Sequence, residues 1–145
     1  GSEIGAMGMG IPAGIAAALR FPDKQVFSIV GDGGALMTGS ELATAVAHKA
    51  KIRVIVANNN HYGTIRYHQE VHFPTRDHYA TKLVNPDFAK YGESFGLKCF
   101  TIHNTEEILP TIKSAMKVDG PSLIEFKMSL ELNTSTTTIS QLQTN

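Results

Sequence analysis

Asp32 and Asn59 are the residues whose types and positions most directly suggest chemistry. Asp32 sits in Gly31-Asp32-Gly33-Gly34, directly after the apolar run Val26 to Val30. Asn59 sits in Asn58-Asn59-Asn60, directly after a second apolar run, Ile52 to Ala57. Two short apolar runs, each ending in a hard oxygen donor and separated by a helix-like stretch, describe a βαβ unit. Its two donors emerge at the carboxyl ends of neighbouring parallel strands, where open α/β sheets bind ligands. A carboxylate and an amide oxygen there suit Mg²⁺, which takes one or two protein oxygens and completes its shell with phosphate oxygens and water.

The elements that must position this pair follow from the punctuation of the chain. Pro12 is well placed at the start of a helix over Ala13 to Leu19. Val26 to Val30 reads as a buried parallel strand. Thr38 with Glu41 forms a capping-box pattern that predicts a helix from Glu41 to Lys49. Ile52 to Ala57 is the next buried strand. The stretch from Asn58 to Val84 has no clean period and reads as a long functional loop with a short helix near Gly63 to Gln69. Asn85-Pro86 opens a helix ending at Gly96, Leu97 to Ile102 is a strand, and Thr105 caps a helix from Glu106 to about Val118. Pro110 is expected there as a local irregularity. Ser122 to Met128 is the last strand. The alternation predicts an α/β fold, a mostly parallel sheet with helices on both faces. Residues 1–129 form the folded domain, and 130–145 read as a mobile polar tail.

Composition narrows the partners. The 145 residues fit one domain, and 13 basic against 13 acidic side chains provide no electrostatic reason for nucleic acid or an anionic membrane as partner. No apolar stretch is long enough to span a bilayer and no leader is visible. The single cysteine, Cys99, excludes an internal disulfide and suits a reducing, cytoplasmic setting. In a strand it is expected to be buried and inert.

With 24 residues between Gly33 and Asn58, the arrangement resembles the cofactor motif of thiamine diphosphate enzymes: GDG, about two dozen residues, then NN. Gly5-Ala6-Met7-Gly8-Met9-Gly10-Ile11-Pro12-Ala13 is similar to the segment that precedes GDG in that family. Tyr62-Gly63-Thr64-Ile65-Arg66 and Asn85-Pro86-Asp87-Phe88-Ala89 are similar to segments that follow. The resemblance runs from about Glu3 to Met128 and points to the diphosphate-binding domain of the acetolactate synthase and 2-oxo acid decarboxylase type.

The resemblance implies thiamine diphosphate and Mg²⁺ as cofactors. The metal would be held by the Asp32 carboxylate, the Asn59 amide oxygen and the His61 backbone carbonyl. Gly31, Gly33 and Gly34 would leave room for phosphate, with the amides of Gly34 and Ala35 facing it, aided by a helix beginning near Thr38. Tyr62, Gly63 and Thr64 would add contacts. Met7 would wedge between the cofactor's two rings, and the Gly5 carbonyl would receive the aminopyrimidine amine. Taken without the resemblance, Met7 is a flexible core filler, GDGG a strand-to-helix turn, and one of the three asparagines a left-handed turn residue.

Other patterns are weaker. Gly8-x-Gly10-x-x-Ala13 imitates a dinucleotide fingerprint but lacks the preceding strand. His68 and His72 have zinc-like spacing on a helix but no cysteine beside them. Ser28, Ser40 and Ser94 lack a nucleophile-elbow setting. The family's activating glutamate lies on a separate pyrimidine-binding domain, and none of Glu3, Glu41, Glu70 or Glu93 matches its motif. The chain is therefore expected to need that domain, from the same or another chain, within a homo-oligomer. Its substrate would be a small 2-oxo acid, handled by an acetolactate synthase-like carboligase. A 2-oxo acid decarboxylase, or a non-catalytic cofactor-binding subunit, is the alternative. The family's domain also begins with a strand and helix upstream of the Gly5 region, so an exposed sheet edge or groove is expected here.

Overall fold

In the computed structural model, residues 5–73, 78–132 and 138–143 are described. Glu3 and much of the polar tail lie outside them. Four strands, β1 (Val26–Gly31), β2 (Ile52–Asn58), β3 (Lys98–Ile102) and β4 (Ser122–Lys127), form one parallel sheet in the order β1-β2-β4-β3. The helices are α1 (Gly10–Arg20), α2 (Asp32–Thr38), α3 (Leu42–Ala47), α4 (Gly63–His72), α5 (Phe88–Ser94), α6 (Ile108–Met116) and α7 (Ile139–Gln143).

Alternation along β2 separates two cores. Ile52, Val54 and Val56 face one side, where they pack with Ile11 and Ile15 of α1, Leu42 of α3 and Phe88 of α5. Ile124 and Ile102 face the other, against Ala115, Ile108 and Ile112 of α6. Helices thus lie on both faces of a parallel sheet, as the strand and helix signals require. None of the described helices is long and apolar enough to cross a membrane.

Gly14 has a steric reason to be glycine, because a Cβ there would stand 2.6 Å from Ile52 Cδ1 and 3.0 Å from Ser28 Cβ. Ser28 Oγ donates to the Gly10 carbonyl at 2.7 Å and ties the start of α1 to β1. Arg53 is buried. Its guanidinium donates to the carbonyls of Gly120 (2.5 Å) and Val118 (2.7 Å), closing the turn that follows α6.

Several local expectations are corrected. β1 is a half-buried edge strand: Ile29 is 73% exposed, because α6 covers only the β3–β4 side and no described element lies over Ile29. The Thr38–Glu41 pair is not a capping box. Thr38 Oγ1 donates instead to Gly8 O at 2.6 Å, and Glu41 Oε2 accepts from Thr44 Oγ1. The helix after β1 starts at Asp32, not near Thr38, and a 3₁₀ turn at Gly39–Glu41 links it to α3. The cap before α6 is Asn104, whose side chain accepts from Glu107 N, and a 3₁₀ turn, Thr105–Glu107, precedes the helix. Pro110 therefore falls in the first turn of α6, where its missing N–H costs nothing. The tail contains α7, which packs against α4 with Ile139 buried. Ile139 N also donates to the Glu131 carbonyl and Ser140 Oγ to Glu131 Oε2 at 2.7 Å, so both apolar seating and hydrogen bonds place this segment.

Candidate cofactor site

The register Gly31↔Ala57 between β1 and β2 sets Asp32 and the Asn58-Asn59-Asn60 turn side by side at the carboxyl edge of the sheet. The chain leaves β1 through Gly31 in extended conformation and enters α2 at Asp32, so the carboxylate is in the first helical turn. Asp32 is 2% exposed. Its Oδ1 accepts from Gly33 N at 2.8 Å and its Oδ2 from Asn85 Nδ2 at 2.7 Å.

Asp32 borders a cleft of about 130 Å³ lined by Met7, Gly33, His61, Tyr62, Gly63, Thr64 and Ile65. Seven of the residues expected at the site from sequence are thus brought to one cavity, counting Asp32 itself. Gly33 is where the walls meet. A Cβ on it would collide with the Tyr62 ring and lie 2.8 Å from Met7 Cε. Gly34 and Ala35 are buried in α2 away from the lining, while Gly5 and Gly31 are exposed. Within the protein itself only Gly33 of the three motif glycines is sterically demanded. A Cβ on Gly31 meets nothing within 4 Å, and one on Gly34 meets Gly8 N only at 3.9 Å.

The three asparagines divide their tasks. Asn60 takes φ 59°, the left-handed turn position. Asn59 is half-buried and outside the cavity lining, with Oδ1 accepting from His61 N at 3.0 Å. That hydrogen bond uses one of the two lone pairs of the amide oxygen. Asn58 is buried, accepts from Asn85 Nδ2 at 2.9 Å and donates to Glu125 Oε1 at 2.6 Å. Asn58 as a buried hydrogen-bonding residue, Asn85 and Glu125 were not legible as site residues. The Asn-Pro step before α5 reads as a helix start, yet Asp87 caps that helix and frees Asn85 to turn toward Asp32.

The loop beyond is more ordered than its sequence suggests. His61 bridges Lys82 in antiparallel fashion, Tyr62 N donates to Thr81 O, and α4 runs to His72. On α4, His68 and His72 are exposed with their rings stacked 5.8 Å apart.

The chemistry of Asp32's surroundings fits a divalent cation. Among the described residues no cationic side chain pairs with this buried carboxylate, and the neighbouring Asn85 Oδ1 is buried without a hydrogen-bond partner. A buried charge with nothing opposite it is costly, and a hard cation among oxygen donors is the matching counterion.

The family profile described as "Thiamine pyrophosphate enzyme, C-terminal TPP binding domain" matches residues 2–126. This chain belongs to that family. As a thiamine pyrophosphate-binding domain it is 33% identical over 127 residues to the acetolactate synthase large subunit of Porphyra purpurea, covering 87% of this chain and 22% of that protein. It is 35% identical over 130 residues to the 3D-(3,5/4)-trihydroxycyclohexane-1,2-dione hydrolase of Bacillus subtilis (strain 168), covering 84% of this chain and 20% of that protein. The thiamine diphosphate-dependent 4-hydroxybenzoylformate decarboxylase of Rhodococcus jostii RHA1 superposes with a TM-score of 0.79 at 30% identity, over 85% of this chain and 23% of that one. The chain therefore spans about a fifth of the length of the relatives it matches. Thiamine diphosphate, the cofactor of the family, is the ligand class the fold is built to take, and the matched relatives are enzymes of several reaction types.

Proposed function

We propose that this domain holds the Mg²⁺–diphosphate end of thiamine diphosphate in an enzyme that joins 2-oxo acids, an acetolactate synthase-like carboligase. The observation that carries the metal part is Asp32, a buried carboxylate at a strand tip with no cationic partner among the described residues, bordering a cleft walled by Gly33, Met7 and Tyr62. Asp32 would ligate the metal, joined by the Asn59 amide oxygen and the His61 carbonyl. Gly33 keeps the wall free of a side chain, and Met7 and Tyr62 give the cleft an apolar flank. When bound, the cofactor would supply the carbanion chemistry that joining 2-oxo acids requires.

This chain holds and orients but does not complete the chemistry. Among the described residues no glutamate lines the cleft. Glu41 is engaged with Thr44, and Glu70 with Arg66 and His78. A pyrimidine-binding domain, on the same or another chain of an oligomer, would supply the activating acid.

A carboligase is supported by the acetolactate synthase name of the relative from Porphyra purpurea. The second reading, a 2-oxo acid decarboxylase, has its support in the superposed Rhodococcus enzyme. Calorimetric titration of thiamine diphosphate with and without Mg²⁺, into wild type and Asp32→Ala, tests the metal part. Binding indifferent to both would overturn it. Product analysis of the intact protein with pyruvate separates the readings: acetolactate supports the first, free aldehyde the second.

A further inference from the structure

The hydrogen bonds behind Asp32 form a chain with only one permitted direction. Lys127 Nζ lies 2.6 Å from Glu125 Oε1, and the same oxygen accepts from Asn58 Nδ2 at 2.6 Å. A carboxylate only accepts, so Asn58 must turn its NH₂ toward Glu125 and its oxygen away. That oxygen accepts from Asn60 N at 3.1 Å and from Asn85 Nδ2 at 2.9 Å, and the Asn85 nitrogen also donates to Asp32 Oδ2 at 2.7 Å. Asn85 therefore has its NH₂ set between two acceptors, and both of its hydrogens are used. Glu125, Asn58 and Asp32 are all buried to 2% exposure or less, so water does not compete for these contacts.

We propose that Asn85 is a positioning residue for the metal, and that Asn58, oriented by Glu125 together with Asn60 N–H, holds the Asn85 amide in place against Asp32. The proposal rests on the reading of Asp32 as a Mg²⁺ ligand. By donating to Oδ2 while Gly33 N donates to Oδ1, Asn85 holds both carboxylate oxygens in one orientation before the cation arrives. Groups that orient a ligand without touching the metal commonly change its affinity about 10–100-fold when removed. The same chain joins β4, β2, the Asn85 segment and α2 through contacts that span 67 positions between Asn58 and Glu125 and 53 between Asp32 and Asn85.

The test uses the intact protein and titrates Mg²⁺ at saturating thiamine diphosphate. The readouts are the cofactor's bound fraction and the rise in Tm caused by the metal. Asn85→Ala is expected to raise the half-saturating Mg²⁺ concentration about tenfold. Its metal-induced rise in Tm should shrink, and excess metal should restore binding. A residue that only stabilised the fold would lower Tm equally with and without Mg²⁺ and leave the half-saturation point alone, and that result would overturn the proposal. Glu125→Gln keeps the shape but can present NH₂ as readily as oxygen to Asn58, leaving Asn60 N–H alone to orient that amide, so it should raise the Mg²⁺ requirement about threefold. If Asn85→Ala does not fold, a Glu125→Gln protein with the wild-type Mg²⁺ requirement overturns the proposal by itself. Asp32→Ala separates the two levels. Should it bind cofactor as wild type does, the metal reading falls and this inference falls with it. Should it lose binding while Asn85→Ala and Glu125→Gln match wild type, only this inference falls.

Discussion

Glu70 Oε2 lies 2.9 Å from His78 Nε2, joining α4 to the segment that returns beneath it. Glu70 is buried, and its Oε1 accepts from Arg66 Nε at 2.8 Å. Alongside, Gln69 Nε2 donates to Tyr79 O, and Tyr62 N donates to Thr81 O. The backbone that carries His61 and Tyr62 to the cleft is thus braced by the close Glu70–His78 contact about two turns of helix away.

Removing that brace should loosen the cleft wall from behind. Glu70→Ala leaves Arg66 without its carboxylate, and breaking a largely buried pair in this way typically costs about 3–5 kcal/mol. Chemical denaturation should show a loss of that order, and amide exchange of Tyr62 and Leu83, which donate across the pairing, should quicken before global unfolding. Unchanged exchange there would show that the backbone pairing of His61 and Lys82 suffices alone.

Gly33 and Gly31 should respond oppositely to the same change. In Gly33→Ala the new methyl meets the Tyr62 ring and Met7 Cε, so one wall of the cleft must move. We expect a cost of about 1–3 kcal/mol, with thiamine diphosphate affinity reduced at saturating Mg²⁺. Gly31→Ala meets nothing within 4 Å and sits at φ −71°, so its stability should stay within about 0.5 kcal/mol of wild type. Paired Tm and titration measurements on the two variants check both.

Arg53 should resist conservative replacement. Burial pulls its guanidinium below the ordinary arginine range, partly offset by Asp119, while the group donates to the carbonyls of Gly120, Val118 and Ile52. Lysine lacks the planar fork that reaches these acceptors together. Hydrogen bonds from charged groups contribute about 1.5–3 kcal/mol each and leave unpaired carbonyls when lost. Arg53→Lys should therefore destabilise by about 2 kcal/mol or more, read from urea midpoints. A neutral result would mean that water replaces the fork without cost.

Cys99 should be a slow thiol. Burial is the main cause that pushes its pKa up to about 11, with Glu93 adding to it. The thiolate is the reactive form, so at pH 8 native Cys99 should be alkylated far more slowly than the urea-unfolded chain. The sign for stability follows. The folded state holds the proton more tightly, so this contribution is fully present below the unfolded thiol's pKa and is lost as pH rises toward about 11. Cys99→Ser should flatten that alkaline decline. Equal alkylation rates in native and unfolded protein would contradict the burial argument.

The motif around Asp32 was legible because its determinants are local. A β-branched run must become a strand, a glycine-flanked aspartate must turn at its end, and a repeat of both after a helical stretch makes a parallel pair. Met7, Tyr62, Gly63 and Thr64 could be assigned to the cleft only because a family resemblance supplied their places. Residue type alone did not, since a methionine is equally a core filler. The capping-box reading of Thr38 failed for a related reason. A Thr–x–x–Glu spacing cannot reveal that the Gly8 carbonyl lies within reach of the hydroxyl.

The sequence by itself determined the four strands and the main helices between them, the parallel pairing of β1 with β2, and the meeting of Asp32 with the asparagine turn at one edge of the sheet. Periodicity and turn chemistry act over a few residues and need no partner from elsewhere. Only the tertiary structure decided that β4 lies next to β2, so that Glu125 reaches Asn58, and that Asn85 spans 53 positions to reach Asp32. It also decided that Ile29 faces outward, because a strand's burial depends on what covers it as well as on its own residues. Side-chain hydrogen bonds are selected by which strands become neighbours and which way each Cβ then points, and neither is encoded in the local pattern.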